Sequence, residues 1–174
     1  MSNPILQLGH PILRTKAKIV DDINAPTIQT LIDQMLKMVT EVQGMGLAAP
    51  QISRSLQIFV MASHPNSRYP HAPYVPAFAV INPQIIRHSD QMISDWEGCL
   101  SVPQLRGFVP RAEKIQVCYY NRDNQRIETE YTGFLARIFQ HEYDHLMAKL
   151  FIDRIQSNQD LISEQEWRSQ ILKN

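Results

Sequence analysis

The chain has 174 residues, a length that suits one compact domain spanning 1–174 with a single sizeable core. Its 44% hydrophobic and 20% charged residues are an ordinary globular mixture, which argues against disorder, and Lys plus Arg balance Asp plus Glu at 17 each, which argues against a surface that neutralises nucleic-acid phosphates. Two cysteines, Cys99 and Cys118, are too few for a disulfide scaffold, so each is judged alone as ligand, nucleophile or core filler.

Residues 1–24 read as an irregular, partly extended arm, because Pro4, Gly9 and Pro11 break every helical period. The arm lacks the apolar stretch of a signal peptide, and no later segment approaches the roughly 18 apolar residues of a membrane helix, so a cytoplasmic protein without membrane contact is expected. From Pro26 to about Gln43 the residues Ile28, Leu31, Ile32, Met35, Met38 and Val39 follow helical spacing, with Pro26 suited to the first turn and Gly44 beyond the end. Leu56 to Met61 predicts a strand. Pro65, Pro70, Pro73 and Pro76 then predict an exposed loop over about 62–78. Further strands are predicted at Ala79–Asn82, Ile85–Ile93, Ile115–Tyr120 and Ile127–Thr132, several alternating apolar with polar residues. A second helix is predicted from Gly133 to about Ala148, with too many apolar positions for a surface helix, so it should cross the core. A short amphipathic helix is predicted from Leu161 to Leu172. Strands and segregated helices without βαβ alternation give an α+β fold of mainly antiparallel sheets around a central buried helix.

That central helix carries Gln140-His141-Glu142-Tyr143-Asp144-His145, which contains HExxH. Positions four apart differ by about 400° of rotation and about 6 Å of rise, so His141 and His145 project from one face and can grip one cation. Glu142, one step round the helix, stands beside such an ion without ligating it and can take a proton from water. Two histidines at this spacing also occur by coincidence; here the flanking Phe134, Leu135, Ile138, Phe139 and Leu146 predict burial, and buried histidines need partners. A catalytic site of this kind needs a third protein ligand. Downstream of His145 no His, Cys or Glu occurs before Glu164, whereas upstream Cys99 lies in Trp96-Glu97-Gly98-Cys99-Leu100-Ser101. Cys99 is either that ligand or an ordinary buried cysteine. Cys118, alternating within a strand, reads as a core residue.

Three segments together resemble the peptide deformylase family in its bacterial form. Gly44 to Gln51 resembles its GxGxAAxQ motif, Glu97 to Ser101 its EGCLS motif, and Gln140 to His145 its QHExDH motif; ILQLGHPILR, Val109 to Ala112 and Leu150 to Asp153 extend the likeness over most of residues 4–154. The resemblance implies the fold of that family and a metal-dependent hydrolase acting on a linear amide, which removes the N-formyl group from the formyl-methionine of newly made proteins and releases formate. It implies Cys99, His141 and His145 as metal ligands and Glu142 as the base. It also implies that Gln51, through its side-chain amide, and Leu100, through its backbone N–H, donate to the formyl oxygen. The peptide would lie extended along Gly44, Met45 and Gly46, with the methionine side chain in a pocket that includes Met45, Phe134, Ile138 and the His141 ring, and with Glu97 and Arg106 near the substrate. Glu97 is further expected to orient a ligand histidine, and Asp144 to pair with Arg111. Ferrous iron is the ion implied in the cell, while zinc, nickel or cobalt also suits the donors.

The chain departs from the family pattern in places. Leu146-Met147-Ala148 stands where the family commonly ends in glycine, so the helix is expected to run slightly further. The proline-rich loop is longer than in compact relatives and is expected to touch none of the three motifs. A short tail after Asp153 leaves only transient ribosome contact to expect. Two rival readings remain: a zinc peptidase, which would usually take His or Glu further along the chain as third ligand, and a non-catalytic binding protein, which would have no need of intact Gln51, Cys99 and Glu142.

Overall fold

The computed structural model describes residues 5–172, so the first four residues of the predicted arm lie outside the described residues. Helix α1 (Pro26–Glu41) starts at the proline and ends before Gly44, burying Leu31, Ile32, Met35, Met38 and Val39. Seven further elements carry the chain to the HExxH helix: β1 (Gly46–Ala48), β2 (Ile58–Ser63), β3 (Val75–His88), β4 (Met92–Cys99), β5 (Val102–Ala112), β6 (Lys114–Tyr120) and β7 (Arg126–Thr132). Then follow α2 (Gly133–Leu146), β8 (Leu161–Ser163) and α3 (Glu164–Gln170). Five strands form one sheet in the order β1-β2-β3-β6-β7, and β4-β5-β8 form a second; all these pairings are antiparallel, in an α+β arrangement.

The alternation of β2 explains the layering. Ile58 and Val60 join Ile32, Met35 and Val39 of α1 in one apolar cluster, while Phe59 and Met61, on the opposite face, join Ala136, Phe139 and Leu146 of α2 in another. The five-stranded sheet is thus sandwiched between α1 and α2, and β2 is buried along its whole length. The three-stranded sheet has only a small apolar cluster, Val102 and Val109 with Leu150 and Phe151.

Several boundaries differ from expectation. The arm contains a 3-10 turn at Pro11–Arg14, whose Ile12 N–H donates to the capping His10 Nδ1. The runs predicted at 79–82 and 85–93 belong to a longer β3 and to β4, separated by a turn after His88. β3 tolerates Pro83 because it is bulged there, with Asn82 at φ 49° and a register shift between Ile81 and Gln84. β5 was hidden by Pro103, Gly107 and Pro110. Its pairing with β8 covers only Leu105 to Gly107, so Pro110, without an N–H, faces no β8 partner. The stretch predicted as a helix from Leu161 begins as strand β8, and α3 starts at Glu164, its N-terminus capped by Ser163. α2 ends at Leu146 and not at Ala148. Among the described residues no helix is long and apolar enough to cross a membrane.

Candidate metal centre and its cleft

α2 passes between the two sheets, and its HExxH turn meets the end of β4. Cys99 Sγ lies 3.3 Å from His145 Nε2. The donor atoms of Cys99, His141 and His145 all fall within 4.8 Å of one another, the one group of three or more His, Cys, Asp or Glu so placed among the described residues. Burial would raise the Cys99 thiol, but the adjacent His145 and His141 rings hold it well below the usual range, so the thiolate is the favoured form.

The set fits a divalent cation. His141 Nδ1 contacts Glu97 Oε2 at 2.9 Å, which leaves Nε2 for a ligand. One thiolate and two imidazoles are a donor set for zinc, iron, nickel or cobalt. Glu142 is buried, and its Oε2 has no hydrogen-bond partner. Such an orphaned oxygen is costly unless something else occupies the site. Burial, more than any neighbour, pushes the Glu142 carboxyl up to about 7, where it can take and return a proton near neutrality. Gly46 makes room for it, since a Cβ at that position would overlap the Glu142 carboxylate.

Gln51, from the turn after β1, is fixed at both ends of its amide. Its Oε1 accepts from Ala48 N–H at 2.8 Å, and its Nε2 lies 3.0 Å from Ser101 Oγ and 3.6 Å from Cys99 Sγ. Leu100 occupies the turn joining β4 to β5, next to Cys99, and lines the cleft that opens over the site. That cleft, with a volume of about 270 Å³, also brings together Gly44, Met45, Gly46, Phe134, Ile138 and the His141 ring. His145 lies deeper, below its floor.

Two residues expected beside the substrate are otherwise engaged. The Glu97 carboxylate is 4% exposed and receives Arg111 Nε and Nη2 at 2.9 and 3.0 Å, Arg137 Nη1 at 2.8 Å and the His141 ring. Burial would raise it, but Arg111 holds it well below the carboxylate range. It therefore backs His141 and lines the cleft with its charge already met by Arg111 and Arg137. Arg106 is likewise buried: it ion-pairs with Glu164, donates to Tyr69 Oη at 2.8 Å and lies 4.2 Å over the Trp167 ring. It lines the cleft wall with few donors to spare, and Gly98 permits this because a Cβ there would sit 2.7 Å from Arg106 Cζ. Asp144 meets Arg111 at 2.5 Å and Arg154 at 2.5 Å.

The sequence reading passed over four neighbours. Arg137 reaches Glu97 and three backbone carbonyls from α2, and its signal was a charge inside the apolar run from Leu135 to Phe139. Ser101 is fully buried under Gln51. Arg68 and Tyr69 of the proline-rich loop line the cleft, Tyr69 against the Phe134 ring at 5.1 Å, so that loop does touch the motif region, contrary to expectation. No local pattern marks a loop tyrosine as part of a wall.

Comparison with known proteins agrees with this geometry. Residues 2–160 match the family model described as polypeptide deformylase. The chain is 49% identical over 171 residues to peptide deformylase 2 of Nostoc sp., covering 98% of this chain and 96% of that protein. It is 46% identical over 155 residues to peptide deformylase 1 of Bordetella pertussis, covering 89% and 88%. Among solved structures it is similar to a Met-Ala-Ser-bound class I type b peptide deformylase from Acinetobacter baumannii, with a TM-score of 0.86, 42% identity and coverage of 89% and 100%. It is also similar to the peptide deformylase from Thermotoga maritima, with a TM-score of 0.80, 35% identity and coverage of 90% and 99%.

Proposed function

We propose, on the premise that the chain belongs to the polypeptide deformylase family, that Cys99, His141 and His145 hold its metal and that Glu142 moves the proton. As a member of that family the chain is a hydrolase that removes the N-formyl group from newly made peptides, with a divalent metal. The observation that carries the assignment of residues is the meeting of one sulfur and two imidazoles within 4.8 Å, beside a buried carboxylate oxygen with no partner.

A divalent cation on those three donors supplies Lewis acidity to a water and to the formyl oxygen. Glu142 accepts the proton of the attacking water and returns it to the amine nitrogen as formate leaves. Gln51 Nε2, held in place through Ala48 N–H and Ser101 Oγ, and the Leu100 N–H donate to the formyl oxygen as charge gathers there. Glu97 fixes the His141 ring, and Arg111 and Arg137 keep Glu97 ionised and still.

The substrate lies on the open edge of β1. Ala62 N–H bonds to Met45 O on the β2 side, so by the alternation of an antiparallel edge the backbone groups of Gly46 turn to the other side, where Ala48 N–H also points. An extended peptide can add there as a further strand, with its methionine side chain toward Met45, Phe134 and Ile138. A structure of a relative described with Met-Ala-Ser bound supports this reading. Ferrous iron is the proposed ion in the cell, and the setting that fits nascent substrates is the cytoplasm, with transient contact at the ribosome as the route of delivery.

The test is deformylation of formyl-Met-Ala-Ser by nickel-loaded protein, wild type against Glu142→Ala. Loss of the base should lower kcat by about 10²- to 10⁴-fold. Equal rates would remove Glu142 from the mechanism. With iron loaded, activity should decay faster in air than under argon, because a ligating thiolate beside iron is open to oxidation.

A further inference from the structure

The cleft contains three arginines, and they differ in what holds them. Arg106 is paired with Glu164, and Arg137 with Glu97. Arg68 lines the same cleft, yet among the described residues its side chain meets no carboxylate; its one hydrogen bond is from Nη2 to the backbone oxygen of Gln43, at 2.8 Å. Its place is fixed from both sides. Asn66 Oδ1 accepts from the backbone N–H of Arg68 and of Tyr69, at 2.9 and 3.0 Å, and the Tyr69 ring is seated on Phe134. The cation therefore stands at a defined point of the wall, with most of its donors unused.

That point can be related to the reacting bond. The Glu142 carboxylate abuts Gly46, so the scissile amide lies at this end of the β1 edge. Beyond Gly46 in one direction, Leu47 and Ala48 are fully buried and leave no path; in the other, Met45 and Gly44 line the open cleft and lead to Gln43. The rest of the substrate must leave that way. From Gly46 to Gln43 is three residues, which span at most about 10 Å because the chain turns at Gln43, with φ 50°. An extended peptide with its formyl group at Glu142 thus carries its second or third residue past the carbonyl that holds Arg68.

We infer that Arg68 makes the outer end of the cleft a recognition site for an acidic side chain at the second or third residue of the formylated substrate. A guanidinium pairs with a carboxylate through two parallel hydrogen bonds, which a lysine in that place cannot make. Glu164 on the cleft wall is already shared between Arg106 and Arg168, so it offers a basic substrate residue little in return.

This inference rests on the deformylase reading, and the experiment separates the two. Nickel-loaded protein is assayed on formyl-Met-Ala-Glu, formyl-Met-Ala-Lys, formyl-Met-Glu-Ala and formyl-Met-Lys-Ala, all amidated at the C-terminus so that no terminal carboxylate competes. At low salt, kcat/KM for the better-placed glutamate peptide should exceed that of its lysine counterpart by about threefold, the size expected of a partly exposed ion pair. The preference should shrink with added salt, fall to about one in Arg68→Gln and reverse in Arg68→Glu. Arg68→Lys should keep part of it. A ratio that is the same in wild type and Arg68→Gln would overturn the role of Arg68 and leave the deformylase reading standing. Failure of the wild type to deformylate any of the four peptides would overturn both.

Discussion

α2 has two unlike neighbours. Toward the five-stranded sheet it presents Ala136, Phe139 and Leu146 to a continuous apolar cluster with Phe59, Met61, Val80 and Val117. Toward the three-stranded sheet it presents Arg137, His141 and Asp144 to Glu97 and Arg111, four of these five being almost wholly buried. The first side is held by area removed from water, which tolerates small shifts; the second is held by charged hydrogen bonds, which fix angles as well as positions. Buried ion pairs are a poor means of adding stability, because desolvation offsets much of their attraction. Their use next to Cys99, His141 and His145 is therefore read as orientation: the three proposed metal donors stand on the seam, with the apolar side setting where α2 lies and the ionic side setting how the His141 ring points.

The comparison can be broken from its apolar side first. Phe139 is fully buried and meets Phe59 edge-on at 5.1 Å and Tyr131 at 5.7 Å, so Phe139→Ala should cost about 3–5 kcal/mol in urea unfolding of the metal-free protein. The protein that remains folded should bind cobalt almost as wild type does. Arg111→Met is the counterpart on the ionic side. Its cost should be smaller, about 3 kcal/mol, because Arg137 and Arg154 still neutralise part of the buried charge on Glu97 and Asp144. Cobalt affinity, however, should fall by about 10- to 100-fold as Glu97 loses its hold behind His141. If titrations of folded protein showed both variants weakening cobalt equally, the division of labour between the two sides would be wrong.

Acid sharpens the same contrast without mutation. Burial works against both Glu97 and Asp144, yet Arg111, with Arg154 at Asp144, keeps each below its ordinary value of 4.5 or 3.8. Carboxylates depressed in the folded state contribute stability that is complete above the unfolded pKa and is lost as pH falls toward the folded one. In the metal-free protein Glu142, pushed up to about 7, adds stability as pH falls toward 4.5, and the contribution of Glu97 and Asp144 should show as a decline of the urea midpoint below about 4.5. In Arg111→Met the loss should be smaller and should end at a higher pH, since the depression is weaker there. Parallel curves for the two proteins would show that other groups govern acid unfolding.

Sequence patterns report the two sides unequally. The helix over Pro26–Glu41, the HExxH helix and the strands around Ile115 and Ile127 were legible because they pack by period, and apolar period is a local property. The three motifs named residues that the structure brings together: Cys99, His141 and His145, with Glu142 and Gln51 beside them. The three-stranded sheet was not legible: β5 carries two prolines and a glycine, β8 is three residues long, and their register is set by partners distant in sequence. For the same reason the part of the cleft wall that Arg68, Tyr69 and Glu164 build around Arg106 could not be read, since each of these side chains is defined only by contact with another segment.

The smallest effect tests the point where the chain crosses from one side to the other. Departure from the family's usual glycine suggested a longer α2, yet the helix stops at Leu146 and Ala148 takes φ 62°, the left-handed region. Its backbone closes a Schellman cap: Lys149 N–H bonds to Asp144 O at 2.9 Å, and Ala148 N–H to His145 O at 3.3 Å. Position 148 is thus a glycine position filled by alanine, held there because Met147 packs in the apolar cluster of α2 while Leu150 and Phe151 pack with the three-stranded sheet. Relief of the Cβ clash in Ala148→Gly exceeds the added freedom of the unfolded chain, for a net gain of about 0.5–1 kcal/mol. For a chain of this length that raises Tm by about 2 °C. Calorimetry of the metal-free variant checks it: a Tm at or below wild type would mean that the two flanking clusters do not force the turn, and that the helix is free to end elsewhere.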